Sequence, residues 1–115
     1  NGGHEPLFIV GPGGGVKERL SFTGPAVGIE PEIDFKIQQT HMESGDILLG
    51  YTDGVTEAGA SDGAFFTMEH LVSILDTPSS TATELLDRIA NSLQEHVGGA
   101  DQFDDITMLA IRRIP

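Results

Sequence analysis

Two apolar runs, each with a carboxylate at one end, constrain this chain more than any other feature. Asp46-Ile47-Leu48-Leu49-Gly50-Tyr51 reads as a buried strand that runs out at Asp53-Gly54, a strong turn pair. Asp104 and Asp105, following Phe103, open the final apolar run, Ile106-Thr107-Met108-Leu109-Ala110-Ile111. Both runs are apolar enough to be central in a sheet, which drives their acidic ends to a rim that water reaches. One carboxylate follows its strand and the other precedes its own, so antiparallel pairing brings Asp53 and Asp104 to the same rim. Two hard oxygen donors placed this way suit a divalent ion such as magnesium or manganese. Taken singly, an Asp-Gly pair at a strand end is more often only a turn, and a carboxylate at a strand end is more often only solvated.

The rest of the chain reads as strands first and helices later. Pro6 to Val10 and Val16 to Phe22 are strand-like, with Gly11-Pro12-Gly13-Gly14-Gly15 as a hairpin connection. Phe35-Lys36-Ile37-Gln38-Gln39-Thr40 alternates polar and apolar residues and predicts a half-exposed strand that turns at Glu43-Ser44-Gly45-Asp46. Met68, Leu71, Val72 and Leu75 recur at helical spacing after Thr67, with Pro78 beyond the end. Thr81-Ala82-Thr83-Glu84 is a capping box that opens a second helix, striped by Leu85, Ile89 and Leu93 and closed by Gly98-Gly99. The class implied is α+β, antiparallel strands with two C-terminal helices on one face. No internal repeat, low-complexity tract or linker divides the 115 residues.

Several function classes are excluded or disfavoured. The formal charge is −12, from 18 acidic against 6 basic residues, and the basic ones are scattered. A nucleic-acid partner would require clustered Lys and Arg. The glycine run is not a phosphate loop, because Lys17 stands between Val16 and Glu18 rather than between Gly and Ser or Thr. With no cysteine there is no thiolate chemistry and no disulfide framework. No serine sits in a Gly-x-Ser-x-Gly elbow. No apolar run reaches membrane-spanning length, and a reducing, cytoplasmic setting fits the composition. His41, His70 and His96 show no metal-ligand spacing, His4 is read as a turn-locking residue, and Asp101 as solvated.

Several segments taken together carry a resemblance: Asn1-Gly2-Gly3-His4, Gly24-Pro25-Ala26-Val27-Gly28, Ser44-Gly45-Asp46, Tyr51-Thr52-Asp53-Gly54-Val55-Thr56-Glu57-Ala58 and Asp104-Asp105-Ile106-Thr107. In this order they resemble the SpoIIE-like branch of the metal-dependent protein phosphatases of the 2C class, over nearly the whole chain. The Asp53 and Asp104 motifs are the most specific parts. The departures are mild, with Gly2 where alanine is common and Thr67 where glycine is common.

The resemblance implies residues 1–115 as the C-terminal part of a single phosphatase domain, a partial two-sheet sandwich flanked by helices. The Asp-Gly metal motif of its N-terminal strand pair would lie upstream of Asn1. It further implies a bacterial signalling enzyme that hydrolyses phosphoserine or phosphothreonine on a regulatory protein of the anti-sigma-factor antagonist type. The reaction would use a water activated between two divalent ions, Mn2+ or Mg2+, with no phospho-enzyme. Asp53 and Asp104 would hold one ion together, Gly54 would support the turn, and Asp105 would stand behind the ligands, the choice between Asp104 and Asp105 as ligand staying open. Without the upstream carboxylate the piece is expected to be inactive by itself, and its uncovered strand edges favour a homodimer. A pseudophosphatase or interaction module is the alternative.

Overall fold

A computed structural model describes residues 1–101 and 104–115; the reading that involves Phe103 lies outside them. Four strands, β1 (Leu7–Val10), β2 (Val16–Leu20), β3 (Ile47–Tyr51) and β4 (Met108–Arg112), form one antiparallel sheet in the order β2-β1-β3-β4. Among the described residues three helices are interleaved with them: α1 (Asp53–Thr56), α2 (Met68–Leu75) and α3 (Ala82–Val97). Period-two alternation sets the faces. In β3, Ile47, Leu49 and Tyr51 are buried while Leu48 and Gly50 are only partly covered. Phe8 stacks on Tyr51 at 5.9 Å between ring centroids, joining β1 to β3. Against this face pack Leu71 and Leu75 of α2 and Leu85, Ile89 and Leu93 of α3, the stripes the helical period predicts. Burying one such side chain contributes about 1.5–3 kcal/mol.

The helix ends follow from their caps. Thr81 Oγ1 accepts from the Glu84 N–H at 3.0 Å, half of the predicted capping box. The Glu84 carboxylate does not return to Thr81. It accepts from the Ser80 N–H (3.0 Å) and hydroxyl (2.7 Å), which lowers its pKa, and lies 3.3 Å from Arg88 one turn on. Gly98, at φ 57, ends α3. The glycine-rich hairpin loop is filled by protein. The Gly15 N–H donates to the Leu75 carbonyl at 2.8 Å, and a Cβ on Gly14 would sit 2.2 Å from the Asp76 carbonyl oxygen.

Three expectations are corrected. Residues 35–40 form no strand, because among the described residues β2 pairs only with β1 and the stretch has no partner ladder; alternation without a neighbour leaves Ile37 88% exposed. Phe35 lies instead over Gly24, and Thr40 Oγ1 donates to Glu18. The last apolar run is an edge strand rather than a central one, and begins at Met108. Asp53-Gly54 is not a simple turn but the start of a one-turn helix.

The open face of the sheet carries Leu7, Leu48, Gly50, Leu109 and Ile111, which line a shallow apolar depression. No helix of the described residues is long and apolar enough to cross a membrane.

Candidate active site

The site is built where β3 ends and β4 begins. Tyr51 faces Met108 in the antiparallel register, so Asp53 lies just past one strand and Asp104 just before the other, at the same rim. The junction is closed by Thr52. Its N–H donates to the Thr107 carbonyl at 3.0 Å, its Oγ1 accepts from the Thr107 N–H at 3.1 Å, and the same hydroxyl donates to the Asp105 carbonyl at 3.1 Å. That commitment explains why Thr52, at the N-cap of α1, makes no side-chain cap bond there.

Gly54 is the other half of the fit. A Cβ at this position would lie 2.1 Å from the Asp105 carbonyl oxygen, so only glycine lets the first turn of α1 press against the 105 backbone. The Asp105 main chain thus meets both Gly54 and Thr52, and its N–H donates to Asp104 Oδ1 at 2.8 Å. The carboxylates of Asp53 and Asp104 are exposed.

The two carboxylates open onto different hollows. Asp53 borders one of about 200 Å3 with Gly3, His4, Glu5 and Thr52; Asp104 borders one of about 280 Å3 with Gly54, Glu57 and Phe65. The His4 turn is locked as read from the sequence: the His4 N–H donates to Asn1 Oδ1 at 2.7 Å, and His4 Nδ1 lies 2.8 Å from the Glu5 carbonyl. Hence the opening turn of the chain forms one bank of the rim. Asp101 is exposed on the Asp104 side.

As a metal site the donor class fits and the donor number is short. Aspartate oxygens are the ligands magnesium and manganese prefer, but among the described residues no group of three or more His, Asp or Glu side chains converges. An ion held here would keep most of its waters.

Sequence reasoning missed Thr52, whose role depends on a strand distant in the chain, and a histidine pair around Phe66. The Phe66 ring, 1% exposed, stacks on His70 at 4.2 Å and meets His96 edge-on at 5.6 Å. His96 Nε2 donates to the Ala64 carbonyl at 2.7 Å. Neither contact has a sequence signature, since each joins elements brought together only by folding.

The chain is similar to known proteins in sequence and in fold. Residues 1–114 match the family described as Stage II sporulation protein E (SpoIIE). The chain is 46% identical to protein IcfG of Synechocystis over 98% of its own length and 18% of that protein's. It is 30% identical to the phosphoserine phosphatase RsbU of Bacillus subtilis over 96% of its length and 33% of that protein's. It therefore spans a third or less of these relatives. In fold it is similar to the SiaA-PP2C domain of Pseudomonas aeruginosa, with a TM-score of 0.74 at 24% identity over 93% of this chain and 42% of that one. It is likewise similar to the PP2C phosphatase domain of SpoIIE from Bacillus subtilis, with a TM-score of 0.78 at 20% identity over 97% of this chain and 32% of that one. With the family matched from Asn1 to Ile114 and the fold shared with two such domains, this chain belongs to the SpoIIE family of PP2C-type phosphatase domains.

Proposed function

We propose that this chain carries part of the active site of a metal-dependent phosphatase that removes phosphate from phosphoserine or phosphothreonine on a regulatory protein of the anti-sigma-factor antagonist type. The observation that carries this reading is the meeting of the Asp53 and Asp104 strand ends through Thr52. Two relatives are phosphoserine phosphatases by name, RsbU and RsbP of Bacillus subtilis. A SpoIIE phosphatase domain has also been solved after presoaking with manganese.

On this reading Asp53 and Asp104 would hold a Mn2+ or Mg2+ ion, and Gly54 and the Asp105 main chain fix the distance between their strand ends. A bound divalent ion supplies charge against the phosphoryl oxygens and acidity to a water molecule. In-line displacement by such a water would release the serine or threonine oxygen, which would leave with the P–O bond pair and take up a proton, while the proton of the water would pass to solvent. The test is manganese-induced broadening of amide signals together with hydrolysis of a phosphoserine peptide. Asp53→Asn and Asp104→Asn should each weaken manganese binding at least tenfold. Unchanged binding in both variants would sink the assignment.

The alternative reading is a non-catalytic interaction module with the same fold. Manganese binding without hydrolysis by the protein carrying this chain would select it. Self-association belongs to either reading. Among the described residues β4 has no strand on its outer edge, with Leu109 and Ile111 62% and 50% exposed, and antiparallel pairing with a second copy would set Arg112 and Arg113 toward the acidic start of the other β4. Sedimentation across a wide concentration range tests it, with Leu109→Lys expected to shift the chain toward monomer.

A further inference from the structure

The hollow beside Asp104 is lined by Ala58, Phe65, Val97 and Ile106 together with the acidic residues Glu57, Asp101 and Asp104, and none of the described residues lining it is basic. At about 280 Å3 it falls just below the range of pockets that enclose whole small molecules, roughly 300–1,000 Å3, and suits a single side chain. Phe65 is 59% exposed there, although its neighbours are fixed. Phe66 is buried beneath His70 and His96. The Ala64 carbonyl accepts from both His96 Nε2 at 2.7 Å and the Ala60 N–H at 2.9 Å, and Gly59 bridges to Phe65 itself. An aromatic ring held out by a braced loop, over an apolar floor with an acidic edge, is built to meet a partner.

We propose that this hollow docks the polypeptide substrate, taking an apolar side chain that has a Lys or Arg beside it on the segment that bears the phosphorylated residue. The proposal rests on the phosphatase reading for the identity of the partner. The apolar residue is selected by Phe65, Val97 and Ile106, and the basic one by Glu57 and Asp101, whose charge repels acidic segments. The chain as a whole, at −12, reinforces that choice. A free phosphomonoester has neither feature and gains nothing from the hollow.

The test uses this chain without metal and short fluorescent peptides containing unphosphorylated serine, leucine and arginine. Binding by anisotropy should weaken about tenfold when the peptide leucine becomes alanine, and about tenfold when its arginine becomes glutamate. Phe65→Ala should erase the leucine preference and Phe65→Leu should restore it, while Glu57→Gln should reduce only the arginine preference. Both residues are exposed, so unchanged melting curves are expected. Equal binding of all peptides by the unaltered chain, a leucine preference that survives Phe65→Ala, or no binding at all would overturn the proposal. Because serine is unphosphorylated and metal absent, these outcomes are independent of Asp53 and Asp104. Lost manganese binding with intact peptide preferences would instead count against the phosphatase reading.

Discussion

Thr52 and Thr107 are joined twice, main chain to main chain at 3.0 Å and main chain to side chain at 3.1 Å. The same Thr52 hydroxyl reaches the Asp105 carbonyl at 3.1 Å. One side chain thereby sets the spacing of the strand ends that carry Asp53 and Asp104.

Replacing that hydroxyl isosterically should expose its role. Thr52→Val leaves the Thr107 N–H and the Asp105 carbonyl without this partner and is expected to cost about 1–2 kcal/mol. Urea unfolding measures the loss, and manganese titration should show a weaker site in the same variant. Thr52→Ser, which keeps the hydroxyl, should retain most of both; a Ser variant as impaired as Val would point to packing of the lost methyl.

Gly54 has no room for a side chain, its added Cβ falling 2.1 Å from the Asp105 oxygen, whereas Gly59 has open space around it. Gly54→Ala should therefore destabilise by about 1–3 kcal/mol, through backbone displacement at the rim. Gly59→Ala is the control and should change thermal stability by less than about 0.5 kcal/mol. Equal effects at both positions would contradict the close approach.

Thr67 stands at φ 73 and ψ 155, a region that β-branched residues avoid, and its Oγ1 caps α2 by accepting from the His70 N–H at 3.3 Å. Relief of strain outweighs a long cap bond, since glycine at an N-cap costs only a few tenths of a kcal/mol. Thr67→Gly is expected to raise stability by about 1 kcal/mol. A lowered melting temperature would show that the cap matters more.

Asp46 is fully buried, and its pKa is lowered chiefly by the Lys17 ammonium at 2.8 Å, with the Glu43 N–H also donating to it at 2.8 Å. Its depressed folded pKa means that this stability is present above the ordinary value of 3.8 and is lost as pH falls through the folded value. The Lys17 pKa is raised, mainly by the same bond, so its share is present below the ordinary 10.5 and is lost as pH rises through the folded value. Lys17→Met should lower stability at neutral pH and flatten the acid limb of a stability-against-pH curve. An unchanged acid limb would remove the pair from that role.

Tyr51, the only tyrosine, has its pKa pushed up to about 12 by burial and secondarily by Glu5, while its hydroxyl donates to Met68 Sδ at 3.2 Å. A raised phenol favours the fold up to the ordinary value near 10 and loses that contribution as pH climbs toward 12. Tyrosinate absorbance should thus rise late, or together with unfolding. Ionisation near pH 10 in the folded chain would show the ring to be accessible.

The sequence by itself determined the features that local chemistry dictates. The α3 stripe of Leu85, Ile89 and Leu93 and the Thr81 cap depend on residues a turn apart. The acidic ends at Asp53 and Asp104 were legible because a carboxylate stays at the rim of an apolar strand unless a cation pairs with it, as Lys17 does with buried Asp46. Tertiary structure decided what depends on distant neighbours. It left Phe35 to Thr40 without a ladder, set β4 at an edge, and gave the Thr52 hydroxyl to Asp105 and Thr107 rather than to its own helix. It also brought His96 to the Ala64 carbonyl. Hydrogen-bond partners and strand neighbours are chosen by proximity in space, and no spacing along the chain encodes them.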